Sequence, residues 1–71
     1  MERSPVQSSN ITSIGYDPDS QTMEVEFTNS GIYQYFSVPQ NVYDDLMNSG
    51  SKGRYFAQYI KNAGYPCGKV G

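Results

Sequence analysis

The chain has no histidine and a single cysteine, Cys67, among its 71 residues. One cysteine excludes an internal disulfide, and the usual zinc ligand sets need several Cys or His residues. Without histidine, no Ser-His or Cys-His nucleophile pair can form. Cys67 stands among Gly and Pro with only Lys69 as a nearby cation, which reads as an inert exposed thiol. No glycine-rich phosphate loop occurs either; Ser49, Gly50, Ser51, Lys52 and Gly53 lack its spacing. Asp17 and Asp19 flank a proline, and turn formation accounts for both. No catalytic residue, metal, cofactor or small-molecule substrate is therefore expected, and the chain reads as a non-enzyme. No run approaches the ~20 apolar residues of a membrane span. Residues 1–9 lack the apolar middle of a signal peptide. A cytoplasmic location is expected, with no membrane partner.

Basic residues are also few. Five Lys and Arg stand against seven acids, a net charge of −2. That balance argues against a general nucleic-acid binder, because the phosphate interaction needs cations. The distribution is uneven, however. All seven acids lie in residues 1–45, where Arg3 is the one base, giving −6; residues 46–71 hold Lys52, Arg54, Lys61 and Lys69 and no acid, giving +4. Such asymmetry can mark an interaction surface. The plainer account pairs Asp44 and Asp45 on one helix with Lys52 and Arg54 on the next, and leaves Lys61 at a helix C-terminus where the dipole favours a cation.

Aromatics are plentiful. Seven Tyr and three Phe supply much of the core volume, since each ring side chain can bury roughly 150–250 Å². A domain of this size buries only about 60% of its unfolded surface, so packing has to carry its stability. The densest aromatic and β-favouring stretch is residues 31–39, from a Gly that can close a hairpin to a Pro that can open a helix.

The pattern along the chain predicts an α+β domain: a three-stranded antiparallel meander followed by two helices packed on one sheet face. Residues 1–9 read as a flexible tail. Residues 11–16 read as a first strand, with Gly15 marking a bulge or a close backbone approach. Asp17, Pro18, Asp19 and Ser20 have turn chemistry. Residues 22–27 alternate: Met23, Val25 and Phe27 on one face, Glu24 and Glu26 on a wet one that discourages edge aggregation. Asn29, Ser30 and Gly31 form a loop with Gly31 left-handed. That loop would set Thr28 opposite Ile32, Phe27 opposite Tyr33 and Val25 opposite Tyr35. Tyr33 and Tyr35 then face the core; Ile32 and Phe36 fall on the outer face, where they form a docking patch or lie under a helix or a terminal tail. Pro39 suits the first turn of a helix over residues 40–48, with an apolar stripe of Val42, Tyr43, Leu46 and Met47. Ser51 is a fair cap for a second helix running to Asn62, with a stripe of Tyr55, Phe56, Tyr59 and Ile60. Gly53 in its first turn permits close approach. Residues 66–71 read as a tail.

Two candidate binding features follow. Tyr33 and Tyr35, if they faced outward, would offer base-stacking surfaces; core filling is the plainer reading. Lys52 and Arg54, at a helix N-terminus with orphan N–H groups, would suit a phosphate or carboxylate; capping and solvated charge are the alternative.

A set of short motifs resembles one family. Ser9, Asn10 and Ile11, then Ile14-Gly15-Tyr16-Asp17, Met23-Glu24-Val25-Glu26-Phe27, Tyr33-Gln34-Tyr35, Val38-Pro39, Val42-Tyr43, Ser51-Lys52-Gly53-Arg54-Tyr55-Phe56 and Ile60 are similar to the KTSC domain. This short module is named for the C-terminus of some lysyl-tRNA synthetases and also occurs as a stand-alone bacterial or phage-type protein. The resemblance covers residues 9–62 or so and places the domain at residues 10–65. It implies RNA binding by association and matches the family's Tyr-x-Tyr motif to Tyr33 and Tyr35. It brings no catalytic residues, and without a synthetase domain it does not imply aminoacylation. The expected function is a small non-enzymatic binding module, with RNA as partner through Lys52, Arg54 and Lys61 near the tyrosines. The alternative is an acidic protein-interaction module, an accessory or phage-type regulator, using the Glu24 and Glu26 face.

Overall fold

The computed structural model describes residues 1–71. Five strands form one antiparallel sheet in chain order: β1 Ser4–Pro5, β2 Ile11–Asp17, β3 Thr22–Phe27, β4 Gly31–Tyr35 and β5 Cys67–Lys69. Two helices, α1 Gln40–Asn48 and α2 Lys52–Tyr59, followed by a 3₁₀ turn at Lys61–Ala63, lie between β4 and β5. The meander thus has two more strands than the three the sequence predicts. Both come from segments read as tails. β1 pairs Ser4 with Ile14, and β5 pairs Tyr35 with Cys67 and Tyr33 with Lys69. These edges are two and three residues long, and backbone hydrogen bonding needs no apolar pattern to form them.

The alternation in β3 does what it predicts for one face. Met23 and Val25 are fully buried, together with Ile11, Ile14, Val38, Leu46 and Ile60. Leu46 is the one fully buried residue of α1, and Phe56 is its counterpart in α2. Ile60 of the second stripe is in the core as well, Val42, Tyr43, Met47 and Tyr55 pack at its edge, and Tyr59 is exposed and lies against Tyr55.

The β3–β4 register differs from the predicted one. Val25 faces Tyr33, Met23 faces Tyr35 and Phe27 faces Gly31. The loop is Thr28, Asn29 and Ser30, one residue earlier than expected, with Gly31 at φ +90° just after it. Moving the loop back by one shifts each partner by two, so every side chain keeps its face. Tyr35 is accordingly buried, and Tyr33 half-buried. Gly31 is required twice over. Its backbone is left-handed, and an added Cβ would strike the Gly71 carbonyl. Gly31→Ala is expected to lower stability by about 1–2 kcal/mol for the backbone conformation alone. An unchanged urea midpoint would contradict this.

The outer sheet face is only in part the wet acidic surface the sequence predicts: the Glu26 side chain is 37% exposed, but Glu24 is covered. Glu24 is 7% exposed. The chain before β1 crosses this face so closely that a Cβ on Gly15 would collide with the Glu2 carbonyl and lie 3.0 Å from Arg3 Cγ. Gly15 therefore marks a close approach; the β2–β3 irregularity falls between Ile11 and Ser13. Arg3 pairs with Glu24, donates from Nε to Ser13 Oγ at 2.9 Å and reaches Glu26 at 3.9 Å. Gln34 donates to Glu24 Oε1, and Ser13 Oγ donates to Glu26 Oε1, both at 2.9 Å. Burial pushes the Glu24 carboxyl up, but the Gln34 and Arg3 hydrogen bonds and the Arg3 charge outweigh it, and the group titrates below its ordinary value. Ile32, expected on this face, lies under the C-terminus: Gly71 and Val70 bond to its backbone at 2.8–3.2 Å.

Helix ends follow local chemistry. Pro39 caps α1 from an extended conformation rather than occupying its first turn, and its carbonyl accepts from Val42 at 3.0 Å. Ser51 precedes α2 without a side-chain cap bond; Ser49 Oγ instead accepts from the Ser51 N–H at 3.1 Å. α2 stops at Tyr59, short of the predicted Asn62, and the chain tightens into the 3₁₀ turn before left-handed Gly64. No helix is long and apolar enough to cross a membrane.

Candidate nucleic-acid interface

α2 packs so that Phe56 meets two rings of the sheet edge-on, Phe27 at 5.3 Å and Tyr35 at 5.2 Å between centroids. Tyr33 meets Phe27 at 5.7 Å in the same manner. Beside this aromatic set, between α2 and the β3–β4 loop, a groove of about 460 Å³ opens. Tyr33, Tyr35, Phe56 and Lys61 line it, with Asn10 and Asn29 among its polar groups. Burial, with Cys67 and Tyr33 nearby, raises the Tyr35 phenol above its ordinary value, so it stays a neutral hydroxyl at physiological pH.

A second hollow of about 300 Å³ adjoins the first. Lys52 and Arg54 line it together with Ser8, Ser9 and Ser51, and it shares Asn10 and Gly53 with the aromatic groove. Gly53 makes the junction possible. A Cβ there would lie 2.8 Å from Asn10 Oδ1 and 3.4 Å from Ser8 Oγ. The close approach that the sequence suggests for Gly53 is thus to the segment before β2.

The predicted site residues therefore fall in two adjoining places. Lys61, Tyr33 and Tyr35 share the groove; Lys52 and Arg54 share the hollow. Neither is lined by any Asp or Glu. The expected pairing of Asp44 and Asp45 with Lys52 and Arg54 does not form: both ion pairs of the chain belong to Arg3, and Lys52 Nζ donates to the Ser49 carbonyl at 3.2 Å. Asp44 and Asp17 instead flank Tyr16. Burial first and then these two carboxylates raise its phenol, which donates to the Val38 carbonyl and stacks on Tyr43 at 4.8 Å. Asn10 precedes β2 and Asp17 ends it, so these groups stand roughly 20 Å apart along a seven-residue strand. Asp45 lies nearer α2, beside Tyr55, but lines neither hollow.

Sequence reasoning missed Lys69, Asn10 and Phe56 as parts of this region. Lys69 is opposite Tyr33 in register, and its Cε lies 3.0 Å from where a Gly31 Cβ would stand, beside the loop that lines the groove. Its signal was the acid-free composition of residues 46–71; its placement depends on β5.

The KTSC domain family model matches residues 7–65. The chain belongs to the KTSC domain family. The crystal structure of a KTSC domain protein from Yersinia pestis is 46% identical and superposes with a TM-score of 0.95, covering 99% of this chain and 97% of its own. A protein of Stutzerimonas stutzeri is 43% identical over 65 residues, 92% of either chain. A lysine–tRNA ligase of Nostoc sp. strain PCC 7120 is 45% identical over 51 residues, which is 72% of this chain but 9% of the ligase. The domain is therefore related both to small proteins of its own size and to a segment of a much larger enzyme.

Proposed function

We propose that this KTSC domain is a non-enzymatic RNA-binding module of the cytoplasm. The observation that carries the reading is the pair of adjoining hollows, which present Lys52, Arg54 and Lys61 and no carboxylate in a chain of net charge −2. Cations gathered away from acids favour a phosphate backbone, and aromatic walls beside them favour bases. The relationship to a segment of lysine–tRNA ligases points the same way, since those enzymes are named for tRNA. The rival reading, an acidic protein-docking face on β3, keeps the net charge of −2 in its favour, but Arg3 pairs with Glu24 and reaches Glu26 on that face.

Anisotropy titration of labelled single-stranded and hairpin RNA tests the proposal. Affinity is expected to fall with salt, with a log–log slope of about −2 for three phosphate contacts on a single strand. Combining Lys52→Gln, Arg54→Gln and Lys61→Gln is expected to flatten that slope nearly to zero. Absence of binding to either RNA at about 50 mM salt would refute the function.

A further inference from the structure

Resting on that reading, we infer that the aromatic groove takes the base of one unpaired nucleotide, so that the domain selects single-stranded RNA over duplex. The volume of about 460 Å³ lies within the roughly 300–1,000 Å³ of small-ligand sites. The walls explain why a flat ring suits it. Phe56 and Phe27 each have two edge-to-face partners, whereas Tyr33 has Phe27 alone. The Tyr33 ring is half-buried and keeps a face without an aromatic neighbour. A base stacked there would complete the series, and base–aromatic stacking does not depend on base identity.

Polar groups sit where the edge of that base would be. Asn10, Asn29 and Ser30 line the same groove. Asn10 Oδ1 accepts from Ser8 Oγ at 3.0 Å, and its Nδ2 makes no hydrogen bond within the chain. A carboxamide offers donors and an acceptor that suit an exposed Watson–Crick edge. Lys61 at the groove places a cation for the phosphate of the inserted nucleotide. The Gly53 junction leads to Lys52 and Arg54 for a neighbouring phosphate. A duplex cannot use this arrangement, because its bases stay stacked and only its backbone reaches the cations.

The test compares a short single-stranded RNA carrying one 2-aminopurine with a blunt duplex of equal phosphate number, at one salt concentration. The expected result is at least tenfold tighter binding of the single strand, with 2-aminopurine emission quenched on binding. Tyr33→Leu removes the stacking ring. Ala57→Leu fills the groove from an exposed position of α2 and leaves the core untouched, so it serves even if the first variant folds poorly. Each is expected to weaken single-strand binding by about 5- to 100-fold and to bring the single-strand to duplex ratio towards one. Equal affinity of the wild type for both RNAs, or Ala57→Leu without effect on the ratio, overturns the groove assignment while leaving salt-dependent RNA binding standing. Absence of binding to both RNAs overturns the groove assignment and the RNA reading together.

Discussion

Phe56→Ala is expected to cost about 3–5 kcal/mol of stability. Phe56 is 4% exposed and is the buried residue of α2. It makes two of the three edge-to-face contacts that join α2 to the sheet and continue to Tyr33. Truncation removes the buried ring area and leaves a cavity that neighbours fill only in part. It also ends two aromatic pairs, each worth about 0.5–1.5 kcal/mol beyond area. A domain of 71 residues has a total stability of roughly 4–11 kcal/mol at typical values per residue. The loss is therefore a large fraction of the total, and the urea midpoint should fall steeply. Urea unfolding followed by far-ultraviolet dichroism measures it. Phe56→Leu, which keeps most of the volume, is expected to lose less than half as much. A loss below about 1 kcal/mol for Phe56→Ala would mean that α2 is not anchored through this ring.

Arg3→Ala is expected to cost about 2–3 kcal/mol near neutral pH. Its guanidinium bonds Glu24 and Ser13 and reaches Glu26, and it ties the chain before β1 across the sheet. Without it the nearly buried Glu24 carboxylate keeps only Gln34 as a partner. The pH dependence identifies the cause. The Glu24 carboxyl titrates below its ordinary value in the folded protein. Its contribution is therefore complete above the unfolded value, about 4.3, and is lost as pH falls through the lower folded value. In Arg3→Ala, burial outweighs the remaining hydrogen bond and the carboxyl moves up. The gap between variant and wild type should thus be widest near pH 7 and narrow as pH falls below about 4. Urea midpoints for both proteins across this range check it. A gap independent of pH would assign the loss to detachment of β1 rather than to Glu24.

The elements legible in the sequence are those with a strong period. The Met23, Val25 and Phe27 alternation and the Val42, Tyr43, Leu46, Met47 stripe give β3 and α1 their observed limits, Thr22–Phe27 and Gln40–Asn48. The inward orientation of Tyr35 followed from the same alternation and survived a loop placed one residue too late. β1 and β5 were not legible. Ser4–Pro5 and Cys67–Lys69 carry no apolar period, and backbone pairing alone makes them strands. The nature of the outer face went with them, because Glu24 and Glu26 look solvated until Arg3 is brought over Gly15. For the candidate site, residue types were readable and adjacency was not. Lys61, in the turn after α2, lines one groove with Tyr33 and Tyr35, and the hollow of Lys52 and Arg54 adjoins it at Gly53 and Asn10, an adjacency set by tertiary structure.

The pairing of β4 with β5 also governs the helices. The chain leaves β4 at Tyr35, runs through α1 and α2, and returns to the neighbouring strand at Cys67. Phe36 N–H donates to the Pro66 carbonyl at 2.9 Å, closing the excursion at its neck. The helical layer is thus clasped at both ends by the same two strands. α2 cannot swing off the aromatic groove as a hinged flap unless its own core contacts give way, because both ends of the excursion stay fixed while β5 holds. The smallest regular strand but one therefore closes the loop that carries both helices.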